Sequence, residues 1–293
     1  MIVEALIGRL ARELAPVPGI SAIVLGGSRA RGFARADSDI DIGLLYRDQN
    51  PIDLAALRSV VAGLDDRGAV EVSEPYAWGP WVNGGCWLVV GGQRVDLMYR
   101  SVDRLEAVIG AAVDHGTLEH HYGQQPPAGY FSVTYLGEVA CARVLHDPEG
   151  AFAGLRARLG SAYPPRLAVT ITENLLWQVE FTLFKVRDWA ARGDVYLTVG
   201  SLVRCATYLN QVLFALNGAY FVSDKSAAQE IAAFPRRPQD YVERVAAILA
   251  HPGADVAALT DSVTRMRTLW RETVPLVPSY LPRAVLPPTA GNE

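Results

Sequence analysis

The chain has 293 residues, 50% hydrophobic and 20% charged, so it holds apolar material for a sizeable core and enough length for two domains. A net charge of −4 and a pI near 5.8 argue against a protein that holds nucleic acid mainly through a basic surface, though a local basic groove is compatible with them. Cys86, Cys141 and Cys205 are odd in number, widely spaced and set in apolar surroundings. That pattern argues against a disulfide frame or zinc site and predicts buried thiols in a reducing, cytoplasmic compartment.

In chain order, Met1 to Pro16 carries Glu4, Arg9, Arg12 and Glu13 among apolar residues. This predicts an amphipathic helix packed on a sheet and ended by Pro16 and Pro18, with no signal-peptide character. Ile20 to Leu25 is a β-branched apolar run, the pattern of a buried strand, and it leads into Gly26 and Gly27. Ser28 to Phe33 lacks proline and predicts a short helix. Ile40, Ile42, Leu44 and Leu45 then mark a second strand that includes Asp39 and Asp41. Val70-Glu71-Val72 predicts a strand leading into the aromatic segment Tyr76 to Trp81. Cys86 to Val90, Gly91-Gly92 and Arg94 to Tyr99 predict a hairpin.

Beyond about residue 100 the pattern turns helical, with predicted helices at Val102 to Val113, Val133 to His146, Leu167 to Arg192, Leu197 to Leu216, Tyr241 to Ala250 and Val256 to Thr273. An antiparallel bundle is the simplest account. Gly123, Pro126, Pro127 and Gly129 place the boundary in Tyr122 to Tyr130. The expected division is a catalytic domain at 1–122, a helical bundle at 131–274 and a Pro-rich tail at 275–293, extended or partly disordered. Charge or glycine interrupts every apolar stretch before about 18 residues, so no membrane span is expected.

The chemistry concentrates between residues 26 and 41. Gly26 and Gly27 permit the backbone angles and close approach that let following amides point at an anion, and Ser28 adds a hydroxyl. The N–H groups of a helix starting there favour phosphate, and Arg29, Arg31 and Arg35 add positive charge. Residues two apart on a strand share a face, so Asp39 and Asp41 are expected to project together. Two carboxylates held so close repel unless a cation lies between them, and Mg²⁺ takes oxygen ligands of this kind.

Gly27-Ser28, ten intervening residues and Asp39-Ile40-Asp41 resemble the signature of the DNA polymerase β-like nucleotidyltransferase superfamily, whose members include antibiotic (aminoglycoside and lincosamide) nucleotidyltransferases and minimal nucleotidyltransferases. The resemblance implies an α+β fold, a mixed sheet flanked by helices and followed by a helical bundle. It implies that Gly27 and Ser28 contact a nucleoside triphosphate, that Ser38 touches its γ-phosphate, and that Asp39 and Asp41 hold divalent metal. A third carboxylate is expected from a later strand: Asp96 is favoured, completing a metal set of Asp39, Asp41 and Asp96, and Glu71 is the runner-up or general base. Arg31 joins the expected triphosphate contacts, as do Arg204 and Lys225 of the helical half.

The activity implied is metal-dependent transfer of a nucleoside monophosphate, AMP from ATP with Mg²⁺, to a hydroxyl of a small molecule such as an aminoglycoside, releasing pyrophosphate. Modification of a protein or RNA, and non-enzymatic nucleotide sensing, are the alternatives. Partners are therefore a nucleoside triphosphate and a small acceptor, with no membrane and no strong nucleic-acid signal. For a polycationic acceptor, Glu173, Glu180 and Asp188 are candidate cleft acids. Tyr76, Trp78, Trp81 and Trp87 are expected mainly in the core, with flat walls for a sugar or nucleoside as their other use. His115, His120 and His121 lack zinc-like spacing.

Overall fold

The computed structural model describes residues 2–35, 37–125 and 127–282. Its elements are α1 (Ile2–Leu14), β1 (Ala22–Leu25), α2 (Gly27–Ala30), β2 (Ile40–Tyr46), α3 (Leu54–Leu64), β3 (Gly85–Val90), β4 (Gln93–Ser101), α4 (Val102–His115), β5 (His120–His121), β6 (Tyr130–Phe131), α5 (Val133–Cys141), β7 (Arg143–His146), α6 (Ala151–Leu159), α7 (Pro165–Ala190), α8 (Val195–Leu216), α9 (Asp224–Ala233), α10 (Tyr241–Ala250), α11 (Val256–Thr273) and a 3₁₀ turn (Val274–Leu276). They form two compact units, one of Met1–Ala111 with Glu119–Ser161, the other of Ala112–Leu118 with Ala162–Glu293.

The first unit is built on a mixed five-stranded sheet in the order β3-β4-β2-β1-β7, the α+β class expected. Only the β2–β4 pair is parallel. Alternation explains its core: Ile40, Ile42, Val95, Leu97, Cys86 and Leu88 are buried with Ile7, Leu10 and Leu14 of α1 and Leu57, Val61 and Leu64 of α3. Burial of each such side chain contributes roughly 1.5–3 kcal/mol. The β3–β4 hairpin turns on Gly91 and Gly92, both at positive φ, as a two-residue turn of this twist demands. Asp66 accepts hydrogen bonds from both glycine N–H groups, at 2.9 and 2.8 Å. Arg100 of β4 and Glu138 of α5 form a two-pronged ion pair, both bonds 2.8 Å, tying α5 to the sheet.

Three expectations are corrected here. The predicted helix to His146 stops at Cys141, and Arg143–His146 becomes β7 because the edge of β1 offers it a ladder. Glu119–Ser161 belongs to the first unit, and the boundary expected at Tyr122 to Tyr130 falls inside it. Val70-Glu71-Val72 forms no strand; only Ser73 bonds to the β3 edge, donating to the Gly85 carbonyl at 3.1 Å.

In the second unit, α7 and α8 are joined by a four-residue turn at Ala191–Asp194 and pack along each other, with α11 against both. The Asp194 carboxylate caps α8 through the Leu197 N–H at 2.9 Å. By length and composition α8 is apolar enough to cross a membrane, although Gly200 and Arg204 interrupt it as expected. Eleven of its residues, among them Leu202, Leu209, Val212 and Phe214, are buried in this unit, so its apolarity is used in helix packing. The start of the tail is also packed: Val277 and Tyr280 are buried, and the Tyr280 hydroxyl donates to Glu180 Oε2 at 2.6 Å. The rest of the predicted tail, 283–293, lies outside the described residues.

Cys86 and Cys205 are buried, Cys141 is half-buried, and none forms a disulfide. Burial pushes the Cys86 and Cys205 thiols up to about 12, so both stay protonated near neutrality.

Candidate active site

β1 ends at Leu25, and the next N–H, of Gly26, donates to the Asp41 carbonyl at 2.8 Å, so the glycine turn is held against β2. Gly27 has φ +59°, and a Cβ placed on it would lie 1.7 Å from Asp41 Oδ2. No side chain fits there; the Asp41 carboxylate rests on bare backbone. The helix that follows is a single turn, Gly27–Ala30, so its dipole is small and the turn's offering to an anion is its N–H groups and the Ser28 hydroxyl. Arg29 points back inside: Nε donates to the Asp39 carbonyl at 3.0 Å and the guanidinium also reaches the Ser38 carbonyl, pinning the entry to β2.

The parallel β2–β4 register sets Asp41 directly beside Asp96, with Ile40 beside Val95 and Ile42 beside Leu97. Adjacent strands lie about 4.8 Å apart, so the two carboxylates leave neighbouring backbones on one face while the flanking apolar residues enter the core. Asp39 lies one residue ahead of β2 rather than on it. Its Oδ1 is buried and ion-paired with Arg94 Nε at 2.6 Å. Arg94 and Asp96 are two apart on β4 and share its face. Sequence reading passed over Arg94, although the same alternation that selected Asp96 marks it.

Among the described residues no group of three His, Cys, Asp or Glu is gathered as a ready cage for an ion. The Asp39 carboxylate is instead paired with the Arg94 guanidinium. The donor set nonetheless fits a hard divalent cation: it is all carboxylate, two members are in register, and Gly27 leaves room for the Asp41 oxygens. Asp39, Asp41 and Asp96 are the residues that would hold it, with Arg94 displaced from Asp39.

Glu71 is exposed on the non-strand segment beyond the β3 edge, so the structure brings Asp96 and not Glu71 to Asp41. The Ser38 hydroxyl accepts from the Arg35 N–H at 2.8 Å and its carbonyl accepts from Gln93 at 2.9 Å, a loop-holding arrangement. Arg31 ends α2, with its guanidinium 5.3 Å from the Phe33 ring centre. In the second unit, Arg204 donates to Gln178 at 3.1 Å and lies over the Tyr208 ring, and Lys225 opens α9 behind the Ser223 cap. Glu180, a candidate cleft acid, is buried and serves as acceptor for Tyr280. His120 bonds to the Ala128 carbonyl and stacks on Phe131, a packing role.

The aromatic cluster divides. Trp81 is only 2% exposed and packs among Tyr130, Tyr135 and the Arg104 guanidinium. Trp87 is 60% exposed, sits directly opposite Asp96 in the β3–β4 ladder, and stacks on Trp78 with ring centres 4.5 Å apart.

Residues 7–79 match the nucleotidyltransferase domain family, and residues 131–225 match a domain family of unknown function, DUF4037. No curated protein matches the chain. A nucleotidyltransferase-like protein from Exiguobacterium sibiricum has a similar solved structure, at 11% identity and a TM-score of 0.43, covering 92% of this chain and 76% of that one. The match to the nucleotidyltransferase domain family lies within the first unit and spans the Gly27-Ser28 turn, Asp39 and Asp41.

Proposed function

We propose that this member of the DNA polymerase β-like nucleotidyltransferase superfamily moves AMP from ATP to a hydroxyl of a small molecule, an aminoglycoside or related antibiotic, with Mg²⁺ held by Asp39, Asp41 and Asp96. One observation carries the reading: Asp41 and Asp96 stand side by side in register, with Asp41 lying against the Gly27-Ser28 turn.

In the reaction the acceptor oxygen forms a bond to the α-phosphorus, the bond from that phosphorus to the β-phosphate oxygen breaks, and pyrophosphate leaves. Bound Mg²⁺ supplies neutralisation of the phosphoryl oxygens and the leaving group. The turn after β1 binds the triphosphate through its N–H groups and the Ser28 hydroxyl. Arg29 keeps Asp39 in place from the backbone side. Arg94, once released from Asp39, is a mobile positive charge beside the phosphates. Asp96, on the strand farther from the turn, would take the proton of the acceptor hydroxyl, help worth about 10²–10⁴-fold. Positioning accounts for the rest.

The test is pyrophosphate release from ATP across a panel of aminoglycosides and lincosamides, with and without Mg²⁺. Release that needs both metal and acceptor is expected. Label from ATP entering protein or tRNA, with no panel member modified, overturns the acceptor class.

A further inference from the structure

We infer that Trp87, backed by Trp78, is the platform on which the acceptor lies, and that the part of the acceptor seated there is a hydroxylated saturated ring, a sugar or cyclitol. This rests on the nucleotidyl-transfer reading above and names the chemistry of its second substrate.

Position comes first. Asp41, Asp96 and Trp87 occupy matched register positions on three consecutive strands, β2, β4 and β3, and so form a row on one face. The triphosphate turn follows β1, on the other side of β2. In-line displacement puts the incoming oxygen opposite the departing pyrophosphate. With the leaving group held at Gly27-Ser28, the hydroxyl approaches from the β3 side, where the next side chain beyond Asp96 is Trp87.

The platform is also built. Indole rings normally go inside, yet Trp87 is 60% exposed and its ring is supported by Trp78 at 16° between planes. Trp78 is fixed by its N–H donating to the Asn83 carbonyl at 2.9 Å and its carbonyl accepting from Gln124 Nε2 at 2.6 Å. Gln124 Oε1 in turn accepts from the N–H of buried Trp81 at 2.7 Å, and buried Asn83 bonds to the Tyr46 hydroxyl at 2.9 Å. The backbone of Trp87 is held by Arg67, which donates to its carbonyl at 2.9 Å. Two stacked indoles anchored from both sides change little on binding, so ring stacking is not spent on ordering them.

The occupant follows from reach. A ring lying on Trp87 has its edge about one strand spacing, ~4.8 Å, from Asp96. Equatorial hydroxyls of a sugar or cyclitol lie at that edge, and its C–H faces suit an indole. A nucleobase stacked in the same place has no hydroxyl on its edge and carries its sugar farther away. Amino groups on the ring suit the platform, because the Arg67 guanidinium behind Trp87 is paired with Asp65 and an indole face attracts ammonium.

The experiment uses the full chain with MgATP and two acceptor probes, kanamycin as a cationic sugar and trehalose as a neutral one. For whichever turns over, Trp87→Ala is expected to raise the acceptor KM about tenfold, with the ATP KM and Tm unchanged and most of the loss recovered in Trp87→Phe. An acceptor KM within twofold of wild type overturns the platform while leaving nucleotidyl transfer intact. Calorimetric titration with each sugar, without ATP, runs alongside. A titration lost in Trp87→Ala supports the platform even where turnover is absent; no binding by either sugar, or equal binding by both proteins, overturns it. Trp87-dependent addition of AMP to an RNA 3′ end, with neither sugar modified, overturns the sugar ring.

Discussion

The two faces of β2 and β4 carry alternate residues of the same short segments, yet they are governed by different physics. Ile40, Ile42, Val95 and Leu97 face the core and are fully buried, while Asp41, Arg94 and Asp96 face the other way and stay half-buried or exposed. One face is a matter of area removed from water, the other of charge held close to charge. The lesson is that a parallel register can assemble an acidic centre without disturbing the core, because one-residue alternation keeps the two sets apart.

The comparison breaks if changes on the acidic face behave like changes on the apolar one. The largest expected effect is on turnover: Asp96→Asn lowers kcat roughly 10³-fold while Tm stays within about 2 °C of wild type, and Glu71→Gln leaves kcat near wild type. Equal losses from the two variants, measured by pyrophosphate release, would return Glu71 to the site.

Leu97→Ala tests the opposite face from the adjacent position. Urea unfolding is expected to show a loss of roughly 2–5 kcal/mol, with the ATP KM of the remaining folded protein unchanged. A loss below about 1 kcal/mol would mean that the face is not packed as described.

The smallest effect sharpens the comparison at the sheet edge. Asp65 caps the end of α3 and is held to about 2 by the Arg67 guanidinium, against the upward pull of burial, with help from the Val89 and Arg67 N–H groups. A carboxylate lowered on folding stabilises above its unfolded value near 3.8 and loses that contribution as pH falls toward 2. Asp65→Asn is therefore expected to lower Tm by about 3 °C at pH 7, with the difference from wild type shrinking between pH 4 and pH 2. A difference that grows on acidification would reverse the assignment.

What was legible in the sequence was local. The Gly91-Gly92 hairpin, the Asp41 and Asp96 alternation and the glycine turn all follow from spacing within a few residues. What was not legible depends on distant partners. Arg143–His146 continues an apolar helical pattern and becomes a strand only because β1 has an open edge. Val70-Glu71-Val72 has strand-like composition and lacks a full ladder, so it stays irregular. Tyr280 packs because Glu180, a hundred residues earlier, needs a donor. At the site, alternation places Trp87 on the face of Asp96, but its ring support comes from Trp78, which Asn83 and Gln124 hold in a loop with no period to read.

The central claim is that Asp39, Asp41 and Asp96 act together as a metal-holding centre for nucleotidyl transfer. Its most direct test is Mg²⁺-dependent pyrophosphate release from ATP by Asp39→Asn beside wild type, with Tm recorded on both. Turnover reduced by roughly 10³-fold or more in a protein that melts like wild type is the result expected; wild-type turnover by Asp39→Asn would contradict the account.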